Sequence, residues 1–203
     1  MPTANYLEGL DISNSLSIGE GSLAPKLLAG ASGPTGGVAI DGEIELKRVG
    51  QKLIKGAVND SVFDVAAYIL LQTGQIAVSK LQLLLYYCQA WSLVWDDAPA
   101  FSDAILAGPN GPFVERIRVN CLGAFKVSTL TLGSAERIVP NIRETCEVVV
   151  TYYNKYTSQE LIFQSQTESP WKVARAHSVL GTNPPIDLSE MVSFYRALLN
   201  KNG

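Results

Sequence analysis

The amino-acid sequence predicts a mainly α-helical domain, and three observations predict it. First, helix-start signals recur from Asp60 onward, each followed by apolar residues spaced three and four apart. Second, residues 79–97 (SKLQLLLYYCQAWSLVWDD) are apolar around most of a helical circumference, which is typical of a helix surrounded by other helices. Third, strand signals are confined to two short stretches. We therefore expect one compact domain of six to seven helices.

The helix starts are predicted from N-capping residues and from prolines in a first turn. The capping pairs are Ser61 with Asp64, Ser79 with Gln82, Thr157 with Glu160 and Asp187 with Glu190, and the proline signals are Pro112, Pro140 and Ser169-Pro170. Gly74 and Gly181 are predicted to follow helix ends.

The first part of the chain differs in character from the rest. Residues 19–37 are rich in small residues and show neither a helical nor a strand period, so we predict a loop-rich N-terminal extension at 1–56 and a helical domain at 57–203. Asp41-Gly42, between short alternating segments, predicts a hairpin at 38–46. A further short strand is predicted near 125–132, where β-branched residues alternate.

Composition and charge argue against several classes of function. The chain has 203 residues and a formal net charge of −3, and its basic residues are scattered, so direct nucleic-acid binding is not expected. No window reaches about 18 uninterrupted apolar residues, so no membrane insertion is expected, and the N-terminus lacks the pattern of a secretory signal. Three dispersed cysteines predict buried, reduced thiols in the cytoplasm.

Residues that could carry catalysis are few. His177 is the only histidine, and no Cys/His spacing resembles a zinc site, so we predict no metal and no cofactor. An enzyme would have to use Cys88 or His177. Cys88 lies on a Leu/Trp seam, where a cysteine is usually a small hydrophobic residue. The interpretation that we favour is a protein without catalytic residues.

Three segments, occurring in order, together resemble the Panacea domain, the domain of SocA-type antitoxins and of phage-associated proteins. They are KLQLLLYYCQAWSLVW (80–95), FSDAILAGPNGPFVERI (101–117) and YYNKYTSQELIFQSQTESPWKVAR (152–175). The matching positions in the first two are Leu81, Gln82, Leu84, Leu85, Tyr86, Tyr87, Gln89, Phe101, Ile105, Ala107, Gly111 and Pro112. Those in the third are Leu161, Gln166 or Thr167, Glu168, Pro170, Trp171, Ala174 and Arg175.

The resemblance implies a non-enzymatic, antitoxin-like protein that neutralises a cognate toxin by direct binding. Two alternatives stay open: a phage or prophage accessory protein that inhibits a host defence protein, and a proteolytic adaptor whose second partner is a cellular protease. The extension at 1–56 and a loop at 97–111 are predicted to set partner specificity. The predicted partner-binding residues are Trp95, Phe101, Phe113, Glu115, Arg116, Glu168, Trp171, Lys172 and Arg175.

Overall fold

The computed structural model describes residues 61–179 and 181–200. The predicted extension at 1–56 and its hairpin at 38–46 lie outside the described residues and stay predictions. Within the described ranges the chain forms seven α-helices and four short strands, which confirms the predicted mainly helical class.

The elements follow one another in this order. They are α1 (Val62–Thr73), β1 (Ile76–Ala77), α2 (Val78–Trp95), β2 (Ile105–Gly108), β3 (Gly111–Val114), α3 (Glu115–Asn120), β4 (Lys126–Val127), a single 3-10 turn (Ala135–Arg137), α4 (Pro140–Tyr153), α5 (Ser158–Thr167), α6 (Ser169–Ala176) and α7 (Leu188–Asn200).

Helix α2 is the centre of the core. Every side chain from Leu81 to Leu93 is buried, and α1, α4, α5, α7 and β3 all pack against this helix. Each fully buried leucine stabilises the fold by about 1.5–3 kcal/mol relative to an exposed one. The apolar segment that dominates the sequence is therefore the element around which the domain is built.

Most predicted helix starts are confirmed. Ser61 accepts a hydrogen bond from the Phe63 amide, Pro140 occupies the first turn of α4, and Thr157 with Glu160 forms a complete capping box. Asp187 caps α7 by accepting from the Ser189 amide at 2.7 Å.

Two predicted helix starts are wrong. Helix α2 begins at Val78, and its N-cap residue Ala77 provides no side-chain cap. The predicted capping pair of Ser79 and Gln82 does not form, because the Gln82 side chain pairs with Val114. Pro112 does not open a helix. It lies in β3, where its missing N–H removes no hydrogen bond that the chain needs, and α3 begins later at Glu115.

The segment predicted as a loop at 97–111 contains half of a β-hairpin. Strands β2 and β3 pair in antiparallel register from Ile105↔Val114 to Gly108↔Gly111, leaving Pro109 and Asn110 as a two-residue turn. Gly111 has a φ of +99°, which an L-residue adopts only with strain. The end of the predicted loop is therefore the tip of a hairpin.

Both edges of this hairpin are closed by the rest of the chain. On the β2 side, the Ile186 amide donates to the Ile105 carbonyl, and the Ala107 amide donates to Pro184. On the β3 side, the Gln82 side chain bonds both backbone groups of Val114. Closed edges leave no template for pairing with another strand.

The short strand predicted near 125–132 is confirmed as β4, which is only two residues long. It pairs antiparallel with β1 through Ile76↔Val127 and Ala77↔Lys126. None of the helices in the ranges 61–179 and 181–200 has the length and apolar content needed to cross a lipid bilayer.

Candidate functional site

Glu168 occupies the junction between α5 and α6. It is the residue between the end of one helix and the start of the next, in an extended conformation (φ −77°, ψ 144°). Pro170, in the first turn of α6, has no N–H with which to continue α5, and this favours the break. The extended backbone directs the Glu168 side chain inward, where only 5% of the residue is exposed. A helix junction thus carries a buried carboxyl group.

Three tyrosine hydroxyls donate hydrogen bonds to the Glu168 carboxylate. Tyr86 and Tyr195 donate to Oε2 at 2.6 and 2.7 Å, and Tyr87 donates to Oε1 at 3.3 Å. Tyr86 and Tyr87 lie on α2 and Tyr195 lies on α7. The carboxylate therefore links the α5–α6 junction to two other helices. We call Glu168, Tyr86, Tyr87 and Tyr195 the carboxylate cluster.

Burial makes the carboxyl group of the cluster harder to ionise. Burial raises the pKa of Glu168 to about 7, although the hydrogen bonds from Tyr86, Tyr195 and Tyr87 act in the opposite direction. Burial and the nearby Glu168 charge also raise the pKa of the Tyr86 and Tyr195 hydroxyls well above the usual value. The tyrosines therefore remain donors throughout the physiological range.

A shell of stacked aromatic rings surrounds the carboxylate cluster. The Tyr153 ring stacks on Tyr87 with centroids 4.0 Å apart, and its hydroxyl accepts from the Trp91 indole at 3.1 Å. Trp91 also meets the edge of Tyr195 at 5.1 Å. This shell excludes water from the cluster and fixes the rings that supply its donors.

Side chains on either side of Glu168 hold the tip of the hairpin. Three consecutive carbonyl oxygens accept one side-chain hydrogen bond each: Ala107 from Arg175 at 3.3 Å, Gly108 from Trp171 at 3.0 Å and Pro109 from Gln166 at 2.8 Å. The hairpin is therefore attached to the helix junction by side chains in place of a neighbouring strand.

The opposite strand of the hairpin leads into a charged and aromatic surface. Arg116 forms an ion pair with Asp103 at 3.1 Å, and Glu115 is paired with Arg118, whose guanidinium lies 5.8 Å from the centre of the Phe113 ring. The Phe113 ring lies close against Gly108. A Cβ atom added to that glycine would be only 2.8 Å from the ring.

Five of the predicted partner-binding residues lie in the hairpin, directly after it, or in hydrogen-bond contact with it: Phe113, Glu115, Arg116, Trp171 and Arg175. Lys172 follows Trp171 on α6. We call these six residues the hairpin surface. Arg116 and Lys172 are exposed, and the other four are half-buried.

The remaining three predicted residues lie elsewhere or inside. Trp95, at the end of α2, stacks on Trp91 at 4.7 Å and is separated from Gln82 by about 20 Å of helix. Phe101 is fully buried, and Gln89 bonds both of its backbone groups. Glu168 is buried within the carboxylate cluster.

The tyrosines of the carboxylate cluster and the partners of Gln82 and Gln89 were not predicted from the sequence. The signal that was available is the pair Tyr86-Tyr87 in a helix that is otherwise apolar, since buried tyrosine hydroxyls usually find a partner. Gln82 and Gln89, seven residues apart on one face of α2, carry a similar signal. No local pattern connects either pair to Glu168, Val114 or Phe101.

The two candidate reactive residues, Cys88 and His177, lie in different environments. Cys88 has no exposed surface, and burial, together with the neighbouring Cys146 thiol, raises the pKa of its own thiol well above the usual value. His177 is exposed at the end of α6, with Nδ1 2.8 Å from the Val173 carbonyl oxygen. In the part of the chain that the structure describes, no group of three or more His, Cys, Asp or Glu residues is arranged to hold a metal ion.

Fold and site together define a helical domain in which side-chain hydrogen bonds, some buried and some partly exposed, link the central helix, the hairpin and the helix junction. The chain was compared with family models, with curated proteins and with solved structures, and none of the three comparisons gives a match.

Proposed function

We propose that this chain is an antitoxin-like protein that binds a cognate toxin directly and neutralises it. The proposal starts from the three segments that resemble the Panacea domain. The observation that carries it is their convergence: Gln82 from the first, the hairpin from the second, and Trp171 with Arg175 from the third are in direct contact.

The way in which these residues are used favours binding over catalysis. The carboxylate of Glu168 and the amides of Gln82 and Gln89 are buried and bonded within the chain. Side chains that are buried and hydrogen-bonded within the chain stabilise the fold and are not free to contact a substrate. The side chains that reach solvent around them include Phe113, Trp171 and Arg116, and aromatic and arginine side chains are enriched in protein interfaces.

We place the toxin contact on the hairpin surface. Its polar groups are fixed in part by Arg116–Asp103 and Glu115–Arg118 ion pairs, and its aromatic groups are held by the hairpin and α6. A surface held in place before binding loses little conformational entropy when a partner docks. The partner would need complementary charge facing Arg116 and Lys172.

A genetic experiment tests the proposal. The product of the neighbouring gene is expressed alone, with this chain, and with this chain carrying Arg116→Glu and Lys172→Glu together. We expect growth arrest, rescue and loss of rescue, respectively. The matched control is Glu144→Lys, a charge reversal at an exposed position on α4, which should rescue like the native chain.

Several outcomes would contradict the proposal. A neighbouring gene product that is harmless alone removes the antitoxin function, and binding to a host defence protein would favour the phage accessory protein. Loss of rescue in Cys88→Ala or His177→Ala, with the fold intact, would instead favour an enzyme.

A further inference from the structure

The carboxylate cluster contains a buried acid without a cation to balance it. Lys172 and Arg175, the basic residues nearest to Glu168 along its own helix, are engaged elsewhere: Lys172 is exposed, and Arg175 donates to the carbonyl oxygens of Ala107 and Thr182. In the described part of the chain, no ion pair involves Glu168. Burying an unpaired charge is costly, so such a group tends to hold a proton.

The groups that face Glu168 from the surrounding elements are all neutral. The direct neighbours are Tyr86 and Tyr87 from α2, Tyr195 from α7 and the Gln164 amide from α5. Tyr153 from α4 stacks on the ring of Tyr87. Strands β2 and β3 contain no titratable residue. The state of the cluster therefore depends on one proton, the proton of Glu168 itself.

The position of Glu168 couples this proton to the hairpin. Gln166, two residues before it, and Trp171, three residues after it, donate to the carbonyl oxygens of Pro109 and Gly108. The hairpin is thus held from both sides of the residue that carries the proton. Helix α6 has eight residues and also packs against β2, so a movement of the junction would be transmitted to the hairpin tip through Trp171.

We propose that Glu168 is a pH-dependent switch that controls how the α5–α6 junction packs. When Glu168 releases its proton to solvent as the pH rises through neutrality, the junction loosens from α2 and α7. The hydrogen bonds from the junction to the hairpin then weaken. The reason is that a charged carboxylate gains hydration only if the junction opens. The neutral acid has no such need and keeps the tyrosines and the junction together. A transition near neutral pH agrees with the pKa of Glu168, which burial raises to about 7.

The indole N–H of Trp171 is a direct reporter, because it donates to Gly108 at the hairpin tip. We would follow its NMR signal in the full chain from pH 5 to pH 9, identifying it with Trp171→Phe. The native chain should show one transition with a midpoint near 7. Glu168→Gln should abolish the transition, and Glu144→Gln, an exposed control, should leave it unchanged.

A second variant keeps the test decisive if Glu168→Gln does not fold. Tyr195→Phe keeps the ring but removes one of the hydrogen bonds that hold the closed junction to α7. The junction should then open more easily, and the midpoint should move to lower pH. Tyr68→Phe removes a hydroxyl that donates to a different carboxylate, Glu147, and should leave the midpoint in place. A flat titration in the native chain, an unchanged midpoint in Tyr195→Phe, or a transition that persists in Glu168→Gln would overturn the proposal.

Discussion

The Gln82 side chain pairs with Val114 as a neighbouring strand would. Its amide oxygen accepts from the Val114 N–H at 2.8 Å, and its amide nitrogen donates to the Val114 carbonyl at 3.2 Å. The pair is fully buried, and it closes the free edge of β3. A single side chain thus connects the central helix to the strand that leads into the hairpin surface.

Replacing Gln82 should therefore destabilise the domain. Gln82→Met keeps the length and apolar stem but leaves both backbone groups of Val114 buried without a partner, at a cost of about 1–3 kcal/mol for each unsatisfied group. Chemical denaturation followed by far-UV circular dichroism measures the loss. Gln159→Met, an exposed position on α5, is the matched control. Equal stabilities of the two variants would contradict the role assigned to Gln82.

The close contact between Gly108 and Phe113 makes a second prediction. Ala at position 108 would place its methyl group 2.8 Å from the Phe113 ring, so Gly108→Ala should destabilise the hairpin by about 1–3 kcal/mol. Adding Phe113→Leu should recover part of this loss, because the smaller side chain makes room. A double-mutant cycle of unfolding free energies checks the coupling, and strictly additive effects would contradict the contact.

Asp64 should contribute to stability at neutral pH and lose that contribution in acid. Burial alone would raise its pKa, but hydrogen bonds from Arg137 at 2.6 Å and from the Ser134 amide at 2.7 Å outweigh it and lower the pKa below the usual value. The native state therefore binds fewer protons here than the unfolded state, and stability falls as the pH drops through the lowered pKa.

The measurement is acid unfolding of the native chain against Asp64→Asn. The native chain should be the more stable at pH 7, and the difference should shrink steadily below about pH 4, the usual range for an aspartate. Glu136→Gln, an exposed acid on the 3-10 turn beside Arg137, should behave like the native chain. A difference that does not depend on pH would contradict the ion pair as its source.

Glu168 should show the opposite dependence. Its pKa is raised to about 7 in the folded chain, so the folded state binds more protons than the unfolded state between about pH 4.5 and 7. The stabilisation is fully present below this window and is lost as the pH rises through it, by an amount on the order of 3 kcal/mol. Thermal unfolding of the native chain and Glu168→Gln across pH 4–8 should therefore converge in acid and separate at neutral pH, with the glutamine variant the more stable. Parallel curves would contradict the raised pKa.

Much of the helical architecture could be predicted because its signals are local. The capping box at Thr157 and Glu160, Pro140 at the start of α4, and the apolar circumference of α2 each depend on residues close in sequence. The hairpin was missed because Pro112 suggests a helix start as readily as a strand, and only pairing with β2 decides between them.

The carboxylate cluster could not be predicted, for a related reason. Glu168 is separated from Tyr86 by 82 residues and from Tyr195 by 27. In the sequence it resembles a surface acid before a short helix, next to Lys172 and Arg175. Only the packing of α2 and α7 against the α5–α6 junction turns it into a buried acid. The same packing explains why Gln82 pairs with a strand and does not cap its own helix.

The proposed function requires that the chain acts by direct binding through the hairpin surface. The most direct measurement is isothermal titration of the purified full chain with the purified product of the neighbouring gene. We predict a saturable complex that Arg116→Glu together with Lys172→Glu weakens at least tenfold, or about 1.4 kcal/mol, while Glu144→Lys binds like the native chain. No heat of binding, or equal binding by both variants, would contradict the account.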